Sequence, residues 1–241
     1  MNQYDVSHFL EDLSELNINL NKVQIEQFIV YYEMLIEWNQ MMNLTAITEY
    51  EDVMKKHFID SLSLKRAYDL SQSVRVIDIG TGAGFPGLAL KIAFPKLQIT
   101  LLDSLNKRIR FLDAVINKLK ITGVEAIHGR AEDLAKNVEL REHFDLCVSR
   151  AVANLSTLSE YCIPFVKKGG FFISYKSEKL ADEIGAAENA ISLLGGRVEN
   201  QIDFYLPKSD IYRNLVVVKK ERQTPKKYPR KSGVPTREPL K

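Results

Sequence analysis

The stretch Val76-Ile77-Asp78-Ile79-Gly80-Thr81-Gly82-Ala83-Gly84-Phe85-Pro86-Gly87 predicts a β-strand that turns abruptly into a helix. Apolar residues lead into an aspartate, and glycines then recur at the spacing of a tight strand-to-helix turn. Glycine permits positive φ, so a flat ligand can lie against bare main chain at Gly82 and Gly84. Proline fits the first turn of a helix, which is expected to begin at Phe85 or Pro86. The stretch therefore predicts a pocket for a nucleotide-like ligand.

Two kinds of ligand fit this turn. Residues 82–87 match the G-x-G-x-x-G fingerprint of dinucleotide-binding folds, and Asp103 follows at about the required distance along the chain. However, a carboxylate at Asp78 would repel the pyrophosphate that a dinucleotide places at the helix N-terminus. S-adenosylmethionine carries a sulfonium and an ammonium instead, and a nearby acid attracts both. The charge of Asp78 therefore favours S-adenosylmethionine, which we expect it to contact.

Polar residues stand at the ends of four successive predicted strands. After the first strand, the others are predicted at residues 97–102, 124–129 and 144–149, and the polar residues are Asp78, Asp103, Glu132 and Arg150. Ligands of open parallel sheets bind beyond the carboxyl ends of the strands. Asp103 could accept the ribose hydroxyls, and Glu132 or nearby backbone could meet the adenine amine. Either acid could instead cap the helix that follows it. Four such residues together favour the binding interpretation.

Composition describes a globular chain of 241 residues, 45% hydrophobic and 27% charged, with enough apolar residues for a full core. No apolar run approaches the roughly 20 residues that cross a bilayer, and the first residues lack the order of a signal peptide. We therefore expect a cytoplasmic protein with no membrane partner. Cys147 and Cys162 have no partner at metal or redox spacing, so no metal is expected.

Charge is distributed unevenly along the chain. Residues 219–241 contain nine basic and two acidic residues, a formal charge of +7; because the whole chain carries +2, residues 1–218 carry −5. A basic, proline-containing end predicts contacts with phosphates. The alternative is a solvated tail that only keeps the protein soluble.

The periodicity divides the chain into three parts. Residues 1–70 are expected to form a helical extension, with an amphipathic helix at 23–42 and a second helix that Thr48 caps through Glu51. Residues 71–220 are expected to form an α/β domain, and residues 221–241 a basic C-terminal tail. Within the domain, a helix at 154–166 ended by residues 167–170, a strand at 171–175 and a helix at 180–194 precede extended runs at 197–206 and 212–219.

These last two runs are expected to pair as an antiparallel hairpin. The predicted fold class is therefore α/β, with a seven-stranded, Rossmann-like sheet whose last strand is antiparallel. This is the ending of class I S-adenosylmethionine-dependent methyltransferases, whereas a dehydrogenase would more often close with another parallel unit.

From about Trp38 to its end, the chain resembles the glucose-inhibited division protein B family of bacterial 16S rRNA (guanine-N7)-methyltransferases. The resemblance is carried by Trp38-Asn39, Asn43-Leu44-Thr45-Ala46, His57-Phe58-Ile59-Asp60-Ser61-Leu62, the stretch 78–87, Leu102-Asp103-Ser104 with Lys107-Arg108, Gly129-Arg130-Ala131-Glu132, Ser149-Arg150-Ala151 and Tyr228-Pro229-Arg230-Lys231. The Phe-Pro pair after the third glycine and the His-to-Leu motif are more specific than the glycines.

The resemblance implies a cofactor pocket built from Gly80, Phe85, Ala131, Glu132 and Arg150. It also implies a substrate guanine in the 530 loop of 16S rRNA, within the small ribosomal subunit, and places His57 and Asp60 near the pocket mouth. Without the resemblance, His57 would be interpreted as a packed histidine and Asp60 as a solvated helix residue.

The residues fit methylation of guanine N7. This atom has a lone pair and no proton to lose, so no general base and no catalytic residue is expected. Cytosine C5 would need an attacking cysteine, and neither cysteine looks accessible to a substrate. Methylation of an exocyclic amine typically uses an Asn or Asp followed by two prolines and an aromatic residue, whereas residues 149–152 read Ser-Arg-Ala-Val.

Arg150, Lys176 and Arg213 are the candidates to hold the RNA, because cations at this edge can contact phosphates or guanine O6. Lys176 and Arg213 could equally be exposed charges at strand ends. A small-molecule methyltransferase is the main alternative function, ahead of a non-catalytic RNA-binding module and a dehydrogenase. The protein is expected to act as a monomer.

Overall fold

A seven-stranded sheet organises the protein, for which a computed structural model describes residues 4–150, 153–177 and 181–241. The strands are β1 (Arg75–Ile79), β2 (Gln98–Asp103), β3 (Val124–His128), β4 (Phe144–Ser149), β5 (Val166–Lys176), β6 (Gly196–Tyr205) and β7 (Tyr212–Lys220). Three expectations fall outside the described residues: Ala151 and Val152 of the motif after β4, and Leu180 at the start of the predicted helix.

The strand order β3-β2-β1-β4-β5-β7-β6 places β1 and β4 side by side at the centre. β1 to β5 pair in parallel, and β7 runs antiparallel to both β5 and β6. The predicted hairpin and the antiparallel last strand are confirmed. The chain leaves β1 towards β2 on one side and reaches β4 on the other, so the order reverses between β1 and β4. Open α/β sheets bind ligands at such a reversal.

Helices cover both faces of the sheet, as a parallel sheet requires. The α-helices are α1 (Ser7–Glu15), α2 (Lys22–Met42), α3 (Tyr50–Val53), α4 (Asp60–Leu62), α5 (Gly87–Ala93), α6 (Asn106–Leu119), α7 (Ala131–Leu134), α8 (Leu155–Cys162), α9 (Ala181–Leu193) and α10 (Val234–Arg237). A π-helix spans Met54–Ile59, and 3₁₀ turns span Ser63–Arg66 and Ile163–Phe165. Within the described ranges, no helix combines the length and the apolar character needed to cross a membrane.

The N-terminal helices pack directly onto the first helix of the sheet domain. Asn21 and Gln24 form a capping box that starts α2, and Gln24 Nε2 also donates to the carbonyls of Ile92 and Ala93 at 2.7 and 3.1 Å. The ring of Phe58 lies 4.9 Å from that of Phe28 in α2. The buried side chains of both regions form one continuous hydrophobic cluster. The helical extension is therefore part of the same core as the sheet.

The structure corrects the expected helix around His57. This helix begins at Tyr50 with Glu49 at its N-cap position, and no side chain caps it. Thr48 lies one residue too early to reach the free N–H groups of the first turn, so the predicted Thr48–Glu51 capping box is wrong. The helix also widens into a π-turn at Met54–Ile59, which the sequence analysis did not predict.

A second correction concerns residues 163–170. The helix predicted at 154–166 ends at Cys162 in the structure, and β5 begins at Val166. The stretch Lys167 to Gly170 therefore belongs to a strand and does not end a helix. Pro164 disfavours helical continuation before it. A Cβ at Gly170 would lie 2.5 Å from the carbonyl oxygen of Asp145 in β4, so only glycine lets the two strands pair there.

Residues 221–241, the C-terminal segment, do not form a free tail. The Arg141 guanidinium donates to the carbonyls of Thr224 and Tyr228 at 2.8 and 3.0 Å. Arg230 pairs with Glu160, whose side chain is completely buried, at 2.7 Å. Within the segment, α10 packs near α8. It is therefore an ordered part of the fold.

Candidate active site

The turn after β1 is held in the conformation that its glycines allow. Gly80, Gly82 and Gly84 have φ values of 71°, 64° and 99°, as expected for this turn. A Cβ at Gly84 would collide with the hydroxyl of Tyr31, which donates a hydrogen bond to the carbonyl of Ala83. α2 therefore braces the turn from behind. The helix begins at Gly87, one residue after the later of the two predicted starts, Phe85 and Pro86.

Asp78 lies beneath the turn and is completely buried. Its Oδ2 accepts hydrogen bonds from Thr81 Oγ1 at 2.6 Å and from the backbone N–H of Gly87 at 2.8 Å. Burial raises the pKa of this carboxyl from 3.8 to about 6. Its Oδ1 is buried without a hydrogen-bond partner among the described residues, so the predicted contact of Asp78 with a positively charged ligand stays a prediction. Its observed role is to join both ends of the glycine turn.

Asp103 fixes the same turn from the neighbouring strand. Its Oδ2 accepts from the N–H of Gly82 at 2.9 Å and from Arg108 at 3.1 Å. Its Oδ1 accepts from the N–H of Leu105 at the start of α6, at 2.9 Å. No side chain caps α6, so the interpretation of Asp103 as a helix cap is wrong. The contact with ribose hydroxyls stays a prediction.

A cleft of about 240 Å³ lies at the carboxyl ends of β1, β2 and β3. It is lined by Ile79, Gly80, Leu102, Ser104, Gly129, Arg130, Ala131, Glu132, Ala153, Leu158, Tyr161, Gly233 and Thr236. The structure thus brings together Gly80, Ala131 and Glu132 of the predicted cofactor residues. Gly82, Gly84, Phe85 and Arg150 do not line this cleft.

The sequence did not predict six polar or glycine residues that line the cleft, namely Ser104, Gly129, Arg130, Tyr161, Gly233 and Thr236. Glu132 Oε1 accepts a hydrogen bond from the N–H of Gly233 at 2.9 Å, and Tyr161 and Thr236 join hydroxyls at 2.7 Å. Ser104 directly follows Asp103, so its position at a strand end was a usable signal. Gly129 and Arg130 follow β3 in the same way. Tyr161 in α8 and Gly233 and Thr236 in the C-terminal segment are brought to the cleft by long-range packing, which no local pattern indicates.

A second group of residues surrounds the guanidinium of Arg150. Its NH1 donates to Asp60 Oδ2 at 3.0 Å and to the carbonyl of Lys56 at 3.1 Å. Asp60 is 2% exposed, and its other oxygen accepts from Arg213 Nε at 2.9 Å. The guanidinium carbon of Arg150 lies 5.2 Å from the centre of the Phe85 ring, within cation–π distance. The structure therefore joins four predicted site residues into one cluster.

The π-helix explains why the Lys56 carbonyl is free for Arg150. In an α-helix that carbonyl would accept from the N–H of Asp60. Here the N–H of Asp60 points to the carbonyls of Lys55 and His57 instead. Single π-turns of this kind are frequent at functional sites. The widened turn lets one guanidinium contact Lys56, His57 and Asp60 together.

His57 is a neutral hydrogen-bonding residue of this cluster. Its ring stacks on Phe85 at 4.5 Å, with 13° between the planes. Burial and then the positive charge of Arg150 lower the pKa of His57 from 6.5 to about 3. Its Nδ1 lies 3.2 Å from Arg150 NH2, which can only donate, so Nε2 carries the proton and donates to Thr45 Oγ1 at 2.8 Å. Both ring nitrogens are therefore in use.

The hydrogen bonds of the Lys176 side chain go to residues outside the Arg150 cluster. Its ammonium donates to Glu183 Oε1 at 2.7 Å and to the carbonyl of Ala153 at 2.8 Å. Glu183 also accepts from the N–H of Leu155, at the start of α8. Lys176 thus ties β5 to the helices beside the cleft.

Comparison with solved structures supports the predicted fold class. The chain superimposes on a chain of the complex between the Haloferax volcanii Trm112 methyltransferase activator and a methyltransferase with a TM-score of 0.58, covering 78% of this chain and 98% of that one at 14% identity. It matches an Agrobacterium tumefaciens protein described as a predicted O-methyltransferase with a TM-score of 0.52, over 70% and 83% of the two chains at 20% identity. These likenesses concern the fold alone.

Comparison of sequences shows the family. A protein of Lachnoclostridium phytofermentans is 53% identical over 98% of both chains, and one of Clostridium novyi is 48% identical over 100% of both. Both are named ribosomal RNA small subunit methyltransferase G. A family model described as GidB, rRNA small subunit methyltransferase G, matches residues 24–212. The predicted resemblance is confirmed, and the chain belongs to the rRNA small subunit methyltransferase G family of enzymes.

Proposed function

We propose that this enzyme transfers the methyl group of S-adenosylmethionine to N7 of a guanine in the 530 loop of 16S rRNA. The observation that carries the proposal is the juxtaposition of two sites in a chain of this family. A cleft at the carboxyl ends of β1 to β3 lies on one side of the glycine turn, and a cationic cluster around Arg150 contacts Phe85 in the same turn.

The cleft suits the nucleoside part of the donor. Its volume of about 240 Å³ is slightly below the roughly 300–1,000 Å³ of sites that enclose a whole ligand. Gly80, Ala131 and Glu132 would hold this part, with Asp103 at the neighbouring strand end. Phe85 and Arg150 remain proposed cofactor contacts on the other side of the turn, next to the substrate cluster.

When bound, S-adenosylmethionine supplies an electrophilic methyl carbon: the N7 lone pair forms the new C–N bond as the C–S bond breaks, and that electron pair stays on sulfur. No proton moves, so the protein has to align the reactants rather than abstract a proton. The neutral, doubly hydrogen-bonded His57 agrees with this requirement, because neither nitrogen is available as a base.

The cysteines also support N7 over cytosine C5. Cys147 and Cys162 are both completely buried in the core, and burial raises the pKa of the Cys147 thiol well above its ordinary value. A thiol of this kind cannot attack a base, because the thiolate is the nucleophile and the substrate cannot reach it.

The Arg150 cluster carries surplus positive charge. Two guanidiniums, Arg150 and Arg213, share one carboxylate from Asp60, and both arginine side chains are 18% exposed. This arrangement suits an RNA phosphate or the O6 acceptor of guanine. Asp60 then positions the arginines, and His57 supports Arg150. Lys176 is neutralised by Glu183 and contributes less to this charge.

Methyl transfer to purified small subunits tests the proposal. With radiolabelled S-adenosylmethionine we expect label in 16S rRNA, and borohydride followed by aniline should cleave the product within the 530 loop, since this treatment opens N7-methylated guanine. Label elsewhere in the RNA, or rapid turnover of small molecules without RNA, contradicts the proposal.

We further propose that the enzyme acts as a monomer in the cytoplasm. A ribosomal RNA substrate places the reaction where bacterial ribosomes are found. Light scattering of the enzyme at its assay concentration tests the oligomeric state.

A further inference from the structure

The C-terminal segment forms a wall of the cleft, and the function proposed above gives it no part. Its residues Gly233 and Thr236 line the cleft. Gly233 has φ of 81°, which glycine adopts without strain, and its N–H donates to Glu132 Oε1. Thr236 Oγ1 lies 2.7 Å from the hydroxyl of Tyr161, which also lines the cleft. Two cleft residues, Glu132 and Tyr161, are thus hydrogen-bonded to this segment.

Strong contacts outside the cleft hold this wall in place. Arg230 forms hydrogen bonds with both oxygens of Glu160, at distances from 2.7 to 3.1 Å, and its N–H donates to the same carboxylate. Thr157 Oγ1 donates to the carbonyl of Pro235 at 3.0 Å. Bidentate, buried ion pairs fix geometry well. The segment is therefore preorganised beside the cleft before any ligand binds.

We propose that the C-terminal segment is a donor-binding element whose Gly233 and Thr236 contact the nucleoside part of S-adenosylmethionine. The proposal rests on the proposed function, because it assigns a part of the same donor site. In open α/β sheets an acid at the end of the second strand meets the ribose. Here that acid is Asp103, and the wall lies beyond it, next to residues that follow β3.

The chemistry of this part of the cleft fits a planar base with polar edges. Apolar side chains of Ile79, Leu102 and Leu158 line it, as is usual for small-ligand sites. Glu132, Tyr161 and Thr236 supply a carboxylate and two hydroxyls. A few polar groups in an apolar cleft fix the orientation of a ligand.

Calorimetric titration with S-adenosylmethionine, without RNA, tests the proposal on a matched pair of variants. Thr236→Trp places a bulky side chain on the cleft wall. Lys231→Trp adds the same bulk to an exposed position of the same segment that does not line the cleft. We expect Thr236→Trp to weaken donor affinity about tenfold or more and Lys231→Trp to leave it unchanged, while both variants melt close to the parent.

5′-Methylthioadenosine, which lacks the amino-acid part of the donor, locates the contact. We expect Thr236→Trp to weaken its binding by the same factor. If only S-adenosylmethionine binding weakens, the segment contacts the amino-acid part and the assignment is overturned. If both ligands bind Thr236→Trp as they bind the parent, the segment is only a structural cover. If the parent does not bind S-adenosylmethionine at all, the proposed function itself fails.

A truncation after Lys231 gives an independent reading. It retains the contacts of Arg230 with Glu160 and removes Gly233 and Thr236. We expect a folded protein with donor affinity reduced at least as much as in Thr236→Trp. A folded truncation that binds the donor like the parent overturns the proposal.

Discussion

At the residue scale, Asp78 shows how one carboxylate holds the donor side of the site together. It accepts hydrogen bonds from Thr81 and from Gly87, which stand at the two ends of the glycine turn. Because Thr81 and Gly87 are buried, water cannot replace Asp78 as the acceptor of these two hydrogen bonds. The turn therefore depends on this side chain for its shape.

Asp78→Ala should destabilise the fold by about 1–3 kcal/mol, because it leaves buried donors unpaired. It should also weaken binding of S-adenosylmethionine, since the turn loses its support. Asp78→Asn keeps one accepting oxygen, so it should lose less stability and less affinity for S-adenosylmethionine than Asp78→Ala. Thermal unfolding and calorimetric titration measure the two effects. An Asp78→Ala protein with the melting temperature of the parent would contradict this role.

Protonation of His57 and protonation of Asp78 should change the free energy of unfolding in opposite directions as the pH falls. The folded-state pKa of His57 is lowered from 6.5 to about 3, so the unfolded chain binds the proton more readily and stability falls as pH drops through this window. The folded-state pKa of Asp78 is raised from 3.8 to about 6, so the native state binds the proton more readily and stability rises as pH drops from 6 towards 3.8.

His57→Gln should therefore reduce the loss of stability on acidification, and Asp78→Asn should increase it. Urea unfolding of the parent and both variants between pH 4 and 7.5 gives the slopes. Curves for His57→Gln that run parallel to the parent would show that His57 does not hold a lowered pKa.

Arg150→Lys tests whether the fork of the guanidinium matters. A single ammonium cannot contact the Lys56 carbonyl, Asp60 and His57 in the same geometry. We expect kcat/KM for RNA methylation to fall about tenfold or more, a loss of roughly 1.4 kcal/mol of transition-state stabilisation. Arg213→Lys is the matched control, because Arg213 makes one contact with Asp60 and should lose less. Equal losses in the two variants would contradict the assigned geometry.

At the element scale, strand ends account for what the sequence could predict. The strands β1, β2 and β4 bury their apolar runs, and a polar residue lies at or just beyond the carboxyl end of each strand from β1 to β4. Asp78, Asp103, Glu132 and Arg150 were therefore predictable as one edge of the sheet. Their individual contacts were not, because the closing of the glycine turn decides that Asp78 faces inward. The residues of the π-helix carry no local signal that separates it from an α-helix.

The C-terminal segment shows the same limit. Its charge was readable from composition, but its position depends on long-range partners such as Glu160 and Arg141. These contacts join residues about 70 or more positions apart in the chain. A local pattern therefore predicted a solvated or phosphate-binding tail where the structure has an ordered wall of the cleft.

Exposed lysines of this segment remain candidates for phosphate contacts. Replacing Lys226 and Lys227 by glutamine should weaken RNA binding and reduce its salt slope by up to about 1.4, the value for two single-strand phosphates, with donor affinity unchanged. The matched control replaces Lys118 and Lys120, exposed residues at the end of α6 that belong neither to the C-terminal segment nor to the Arg150 cluster. Filter binding over a salt series measures both slopes. If both double variants bind RNA with the same salt slope, these lysines of the C-terminal segment do not contact the RNA.

At the scale of the whole molecule, the fold places two different recognition tasks on either side of one turn. The cleft on the β2 and β3 side suits a nucleoside, and the cationic cluster on the β4 side suits RNA. Phe85 connects them, since it stands in the turn and contacts both His57 and Arg150. An in-line displacement needs donor and acceptor on opposite sides of the transferred carbon, which this arrangement can provide.

The most direct test of the central claim is the position of the methyl group in cellular RNA. Nucleoside and fragment mass spectrometry of 16S rRNA should find 7-methylguanosine in the 530 loop of cells that contain this enzyme and an unmodified guanine there in cells that lack it. Restoring the enzyme should restore the mark, and restoring Arg150→Lys should leave the mark incomplete. An identical 530 loop with and without the enzyme would contradict the account.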